Sequence, residues 1–463
     1  MNIKKKLLWP VAFSACAAYG LDADFGADFR LRQEIMNNVP GLPGGGLLNR
    51  AEASKQKNQW RFRTRVWGDV KFGENLHIYS RLANAPRWNV NPHSRAYEFP
   101  DELFLDNLYL EGTGFWDGLV DFVIGRQDTF GAGGALYGLS RIFSDTTPGD
   151  GSRSFYSDMA RVTIHATDES KIDGFVLYNS DRNKLRWGTG SSRNRALCGL
   201  GGADPEADEF GAGVVWSSSI GSPEAVPYQL FSVYKKKYAC HYGDGKHPGK
   251  DIATFGARFL PQLTGELSLE LEGMAQAGET TEDDFCKGWS AFAAVDYHPD
   301  VGNTVKPYAQ LSCMYMSGDE DTAGEYGGNS AWDPLWNRAA SPSEMMAYGS
   351  TYGMCWWSNL IYPKLSGGVK FGKRHSLNAS TGPMFAAKYD GLGQTPGADG
   401  SRFMGLLSQV RYDFPLLTAP ADATGLKRLE IFGHLLAEMI NPGDYYATSR
   451  PAWFLRWEVM FKF

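Results

Sequence analysis

The last eleven residues of the chain, 453–463, alternate between two kinds of position and end on an aromatic side chain. One set is wholly apolar, namely Trp453, Leu455, Trp457, Val459, Phe461 and Phe463. The other set includes Arg456, Glu458 and Lys462. Successive side chains of a β-strand point to opposite faces, and an apolar edge strand exposed to water invites aggregation. The pattern therefore predicts a strand with one face in lipid and the other in a polar lumen, which is typical of a transmembrane β-barrel.

The same two-residue period recurs along the chain and predicts about 18 strands, with 16–20 allowed by the minimum strand length of about 9–11 residues. The predicted strands are 24–36, 58–72, 75–84, 103–113, 119–128, 157–166, 170–179, 209–218, 227–238, 251–260, 264–278, 286–297, 304–316, 364–372, 374–388, 402–413, 426–440 and 452–463. Most connections after odd strands are long and most after even strands are short. We therefore expect an all-β fold, a single transmembrane antiparallel β-barrel with short periplasmic turns and long extracellular loops.

The N-terminus has the features of a secretory signal peptide. Residues 1–6 are basic, residues 7–18 are mainly apolar, and small residues offer cleavage after Ala17 or Gly20. The apolar stretch is too short for a transmembrane helix, which needs about 20 residues, and it contains Pro10. We predict a signal peptide over 1–20 and one outer-membrane β-barrel domain over 21–463.

Composition agrees with a barrel rather than a helical membrane protein. Apolar residues make up 43% of the chain and aromatic residues 14%, yet the mean hydropathy is only −0.34. Loss of Lys4, Lys5 and Lys6 with the leader takes the formal charge from −6 to −9. Nucleic acid is therefore an unsuitable partner. We expect an integral protein of the bacterial outer membrane, surrounded by lipid and lipopolysaccharide, and no cofactor.

Arginine dominates the predicted inner faces of the first two strands. Arg30 and Arg32 share one face of the first strand, and Arg61, Arg63 and Arg65 share one face of the second. Further inward candidates are Arg81, Arg161, Arg411, Arg428, Arg456, Glu270 and Glu272. Same-face residues recur about every 7 Å, so the arginines predict a ladder of cations. Two interpretations stay open: a structural network with the carboxylates, or a track for anions suited to the planar guanidinium fork.

Several short stretches resemble the alginate export family of outer-membrane channels. They are 29–35 (FRLRQEI), 59–65 (QWRFRTR), 125–127 (GRQ) followed by 137–138 and 148–153, and the later stretches 272–278, 317–319 and 332–336. The resemblance implies an eighteen-stranded barrel with an arginine-lined constriction that passes an anionic uronate polymer. It also adds Arg126 to the pore residues. An export role would further require periplasmic partners.

Three other functions compete with a passive channel for an anionic polysaccharide or oligosaccharide. The first is a general diffusion porin of weak selectivity. The second is a barrel enzyme, which we do not expect, because the eight histidines show no accompanying catalytic signature. The third is adhesion through calcium at acidic loop clusters, with Asp319 and Asp321 as metal candidates. Their spacing matches no calcium-loop motif, so we predict no metal site.

Overall fold

The computed structural model describes most of the predicted strands and parts of their connections. The described residues are 22–38, 56–91, 93–96, 98, 103–127, 157–179, 186–187, 208–221, 225–242, 245–247, 249–280, 285–302, 304–319, 330–333, 335–336, 344, 358–388, 401–418, 429–445 and 450–463. The predicted signal peptide lies outside these residues. No helix within them is long and apolar enough to cross a membrane.

Eighteen long strands within the described residues form one closed antiparallel barrel. They are β1 (Asp22–Asn37), β2 (Lys57–Phe72), β3 (Leu76–Asn84), β4 (Leu103–Gly114), β5 (Val120–Gln127), β6 (Ser157–Thr167), β7 (Ser170–Asn179), β8 (Glu209–Ile220), β9 (Val226–Lys237), β10 (Lys250–Phe259), β11 (Leu267–Thr280), β12 (Phe285–Tyr297), β13 (Val305–Met316), β14 (Leu360–Phe371), β15 (His375–Phe385), β16 (Phe403–Thr418), β17 (Glu430–Pro442) and β18 (Ala452–Lys462). Each strand pairs with its neighbours in the chain, and β1 pairs with β18 to close the ring. The predicted fold class is confirmed.

Exposure alternates along the strands as a membrane barrel requires. On β18, Phe454, Arg456 and Glu458 are 0–3% exposed, whereas Leu455 between them is 44% exposed. The buried set faces the interior, and the exposed apolar set forms the outer surface, as with Leu435 on β17. Within the described residues, closure gives each of the eighteen strands a neighbour on both sides, which satisfies backbone groups that lipid could not. The chain has the fold of an integral outer-membrane β-barrel.

The predicted loop 85–102 differs from the structure, because it contains two short strands. Arg87–Asn91 pairs with the upper end of β2, and Ser94–Ala96 pairs back on Arg87–Asn91. Strand β3 ends at Asn84, two residues before Pro86, which has no backbone N–H for a continuous ladder. The chain then resumes pairing with β2 beyond this break. Two shorter additions are Arg186–Trp187 on β4 and a hairpin of Cys240–Tyr242 with Gly245–His247.

Turn lengths at the periplasmic end also differ from the prediction. Strand β8 continues to Ile220 and β9 begins at Val226, so the predicted turn 219–226 is shorter. Strand β16 extends to Thr418 through an irregularity near Pro415. The added residues extend both hairpins toward the periplasm.

The connection between β13 and β14, predicted as an outer loop, lies partly inside the barrel. Its Trp332 and Trp336 are each 1% exposed. The ring of Trp336 meets Phe175 of β7 at 6.4 Å between centroids, and Gly211 of β8 lies against it. Two large indole rings would be costly to leave in water, and the barrel interior offers an apolar surface that covers them. This connection therefore narrows the lumen.

Candidate functional site in the barrel lumen

Six arginines of three adjacent strands face the interior and form what we call the arginine wall. They are Arg30 and Arg32 on β1, Arg61, Arg63 and Arg65 on β2, and Arg456 on β18. In the register of β1 and β2, Arg30 lies opposite Arg63, and Arg32 lies opposite Arg61. Like charges directly opposite each other destabilise a sheet. The arrangement therefore requires compensating carboxylates.

Three carboxylates of the same strands supply this compensation. Glu34 accepts from Arg456 at 2.8 Å and from Arg61 at 3.1 Å, and it is fully buried. Glu458 accepts from Arg32 Nε at 2.6 Å and lies 3.6 Å from Arg30. Asp28 binds Arg65 at 2.6 Å and lies 3.5 Å from Arg63. Arginine and carboxylate thus alternate in one network, as the first of the two sequence interpretations expected.

Burial divides the arginine wall along its length. Arg30 and Arg32 are 0–1% exposed, whereas the side chain of Arg65 is 20% exposed. Part of the cover comes from the β13–β14 connection, because Glu344 binds Arg456 at 2.7 Å. The backbone N–H of Glu344 also donates to Glu438 of β17 at 3.0 Å. Solute can therefore reach the Arg65 end of the wall more readily than the opposite end, where Arg32 and Arg456 lie.

A second charged cluster lies on the opposite side of the ring, on β9 and β10, eight and nine strands from β1. Lys235 of β9 and Lys250 of β10 lie 3.7 and 3.5 Å from the carboxylate of Asp333 in the β13–β14 connection. Lys235 also donates to the carbonyl of Leu335. Burial alone would raise the pKa of Asp333, but Lys235, Lys250 and a backbone N–H outweigh it and lower the pKa to about 2. Asp333 therefore fastens the connection to this side of the lumen.

The other predicted lumen residues are distributed around the ring. Arg81 binds Asp106 at 2.5 Å, Arg411 binds Asp413 at 2.7 Å, and Glu270 accepts from Arg258 at 2.8 Å. Glu272 is buried on the inner face of β11. Arg161 faces inward on β6 between Val123 and Phe175, and it is half-buried. Arg428 lies outside the described residues.

Arg126 differs from the other arginines in its direction. Its register partners are Leu108 on β4 and Asp158 on β6, and Leu108 is 42% exposed on the outer face. The guanidinium binds Asp158 through two hydrogen bonds of 2.8 and 2.9 Å and donates to the carbonyl of Leu105. The register therefore places Arg126 in the barrel wall and not in the row that lines the lumen.

Asp319, one of the two acidic candidates for a metal, makes a loop contact instead. Asp319 accepts a hydrogen bond of 2.7 Å from the backbone N–H of Ser330, and Asp321 lies outside the described residues. Within the described part of the chain, no group of three or more histidine, cysteine, aspartate or glutamate side chains is arranged to hold a metal.

Sequence reasoning missed Lys235, Lys250, Arg258 and Asp333. The signal for Lys235 was present, because alternation on β9 places it on the inner face with Phe231 and Val233. No comparable signal marked Asp333, which lies in a connection without a repeating pattern. The apolar side chains of Trp332 and Trp336 indicated only that this connection packs against an apolar surface.

The closed barrel and its charged interior define the class of protein: an eighteen-stranded outer-membrane barrel of porin architecture. A BenF-like porin from Pseudomonas fluorescens is similar, with a TM-score of 0.53 and 10% identity over 96% of this chain and 98% of its own. Pseudomonas aeruginosa OccK5 (OpdH) has a TM-score of 0.51 and 9% identity over 95% and 98% of the two chains. Pseudomonas aeruginosa OccK2 (OpdF) has a TM-score of 0.50 and 12% identity over 95% and 97%.

These identities show a shared fold. No family model and no curated protein matches the chain. The eighteen-stranded outer-membrane barrel that the resemblance to the alginate export family implied is confirmed. The membership of that family and the alginate substrate are not shown.

Proposed function

We propose that the protein is a passive outer-membrane channel for anionic sugars of the uronate class. The observation that carries the proposal is the set of arginines on the inner faces of β1, β2 and β18. A guanidinium presents a planar fork of donors that matches a carboxylate, and it stays charged at every physiological pH. Placing these groups in lipid would be costly, so their inward direction is enforced by the membrane.

Accessible cations favour contact with a solute. The side chains of Arg65 and Arg411 are 20% and 32% exposed, and Arg161 is half-buried. They lie on β2, β16 and β6, so different sides of the lumen present a guanidinium. An anion crossing the barrel would meet one cation after another, which lowers the barrier between neighbouring positions.

A general diffusion porin of weak selectivity is the second candidate, and the ion pairing favours it. Every arginine of the arginine wall has a carboxylate within 3.6 Å. If these pairs cancel the field in the lumen, the arginines hold the wall together and select no solute. The two functions therefore differ in the charge that a passing ion experiences.

Reversal potentials of the purified protein in planar bilayers separate the two. Under a potassium chloride gradient, we expect the wild type to prefer anions and to be blocked by oligouronate. The double variant Arg65→Gln/Arg411→Gln should lose much of that preference. Arg374→Gln is the matched control for loss of charge, because Arg374 is 51% exposed in a periplasmic turn. Weak selectivity and no oligouronate block in the wild type would reject the uronate channel and leave the general porin.

A further inference from the structure

On the inner faces of β3, β4 and β5, in the periplasmic half of the lumen, a row of paired positions contains two tyrosines followed by a glycine. Tyr79 of β3 lies opposite Tyr109 of β4, and their rings stack with centroids 5.2 Å apart at 23°. The next position in the row is Gly125 of β5, so no side chain enters the lumen there beside Tyr109. Gly125 has φ of +127°, and a Cβ at this position would meet the backbone of Leu108 and Tyr109. The backbone at Gly125 therefore excludes a side chain and leaves a gap in the row beside Tyr109.

An arginine lies diagonally across this gap from Tyr109. Arg161 of β6 is half-buried on the inner face, and among the described residues its Nε has no hydrogen-bond partner. Its charge reaches Asp121 of β5, which is bound to His165. Buried polar atoms are normally hydrogen-bonded, so the Nε of Arg161 calls for an explanation, and a ligand in the lumen would supply one.

Two carboxylates, those of Asp69 and Glu111, border the tyrosine pair and form what we call the acidic rim. His77 of β3 binds Asp69 at 2.6 Å and Glu111 at 3.1 Å, and its ring meets Tyr109 edge-on at 6.4 Å. The carboxylates of Asp69 and Glu111 are 25% and 30% exposed. Carboxylate oxygens accept hydrogen bonds from hydroxyl groups and repel other carboxylates. A ligand that carries both kinds of group would thus turn its hydroxyls to this rim and its carboxylate to Arg161.

We propose that Tyr109 and Arg161 form a binding subsite for a single uronate residue, a refinement that rests on the proposed function. The sugar ring stacks on the tyrosine pair over Gly125, the carboxylate accepts from Arg161, and hydroxyls donate to the partly exposed carboxylates of Asp69 and Glu111. Arg161 lies opposite Val123, two residues along β5 from Gly125, so Tyr109 and Arg161 are two strands apart and one same-face position out of line. Their Cα atoms are then about 12 Å apart, a distance that one pyranose ring and its carboxylate span together with the two side chains. The subsite would hold an anionic sugar briefly in the periplasmic half of the channel.

Current block in planar bilayers tests the subsite with three probes: glucuronate, glucose and benzoate. Arg161→Gln should weaken block by glucuronate about tenfold, the loss expected for one charge-assisted hydrogen bond. Tyr109→Leu should weaken block by glucuronate and by glucose several-fold. Tyr109→Phe retains the ring and should behave as the wild type, and Arg161→Lys retains the charge but not the fork and should fall between.

Matched controls distinguish failure of the subsite from failure of the channel. Arg374→Gln removes one charge outside the lumen, and Tyr308→Leu removes an inward tyrosine on β13, far from the row; both should leave glucuronate block unchanged. Glucuronate block of the wild type that resists Arg161→Gln, Arg161→Lys and Tyr109→Leu would overturn the subsite and leave the channel. Benzoate block as strong as glucuronate block, with the same sensitivity, would overturn the sugar ligand. A wild type without anion preference or glucuronate block would instead overturn the proposed function.

Discussion

Glu34 is the carboxylate on which the arginine wall most depends, and Glu34→Gln should destabilise the barrel strongly. The residue is 0% exposed. It accepts from Arg456 of β18, from Arg61 of β2 and from the amide of Gln59. Its charge therefore joins three adjacent strands at the point where the barrel closes. Glutamine keeps the shape of the side chain and removes the charge.

The magnitude follows from the burial of the partners. Arg61 is 4% exposed and Arg456 is 3% exposed, so neither guanidinium can exchange Glu34 for water. Removing one partner of a buried ion pair costs about 3–5 kcal/mol, because the other charge stays buried without compensation. Arg61 loses the carboxylate at 3.1 Å, whereas Arg456 keeps its ion pair with Glu344. We expect the free energy of unfolding to fall by about 3–5 kcal/mol.

Denaturant unfolding in lipid vesicles, followed by tryptophan fluorescence, measures this free energy. The matched control is Glu430→Gln, because Glu430 binds the exposed Arg374 at 3.0 Å. An exposed pair contributes at most about 1 kcal/mol, so this variant should unfold close to the wild type. Equal unfolding free energies for Glu34→Gln and Glu430→Gln would refute the view that the buried pairs hold the closure together.

Two further predictions concern the lumen connection and the outer surface. Because the pKa of Asp333 is lowered from 3.8 to about 2, its ion pairs contribute about 2 kcal/mol above pH ~4 that is lost as the pH falls through ~2. Loss of these pairs releases the connection that narrows the lumen, so the single-channel current of the wild type should become noisier below pH 4. The current of Asp333→Asn should be noisier already at pH 7, and equal noise in the variant and the wild type at pH 7 would contradict this. Leu435 and Ile220 are 50% and 57% exposed on the outer face, the first at mid-strand and the second at a strand end. Leu435→Arg should lower the free energy of unfolding by about 2–4 kcal/mol, and Ile220→Arg by at most about 1 kcal/mol. Heat-modifiable migration on gels measures the difference, and equal behaviour of the two variants would show that the outer face is not in lipid.

The sequence was sufficient for the barrel because each strand carries its own periodic signal. Along β18, the alternation of Leu455 with Phe454 and Arg456 already separates outside from inside. Neighbouring strands pair in order, so the prediction that Arg30, Arg32, Arg61, Arg63 and Arg65 share one side of the lumen needed no further information. The structure confirms that these five side chains face inward together.

Contacts between distant parts of the chain were beyond this reasoning. Lys235 and Leu335 are 100 residues apart, and no local pattern connects them. Arg126 was assigned to the pore through family resemblance, whereas its row is set by pairing with Leu108 and Asp158. Positive φ at Gly125, next to Arg126, is likewise a backbone property that the two-residue period does not encode.

The sequence left a structural network and an anion track as alternatives, and burial along the arginine wall assigns them to different arginines. Arg30 and Arg32 are essentially inaccessible, so their guanidiniums act on Glu458 and not on a passing ion. The side chain of Arg65 is 20% exposed, so it can contact a solute while Asp28 holds its position. A fixed guanidinium loses less freedom on binding an anion than a mobile one. Neutralising Arg65 should therefore change the ion selectivity more than the free energy of unfolding, whereas neutralising Arg32 should change the free energy of unfolding more. If both variants changed the selectivity equally, burial along the arginine wall would not determine which arginines contact the solute.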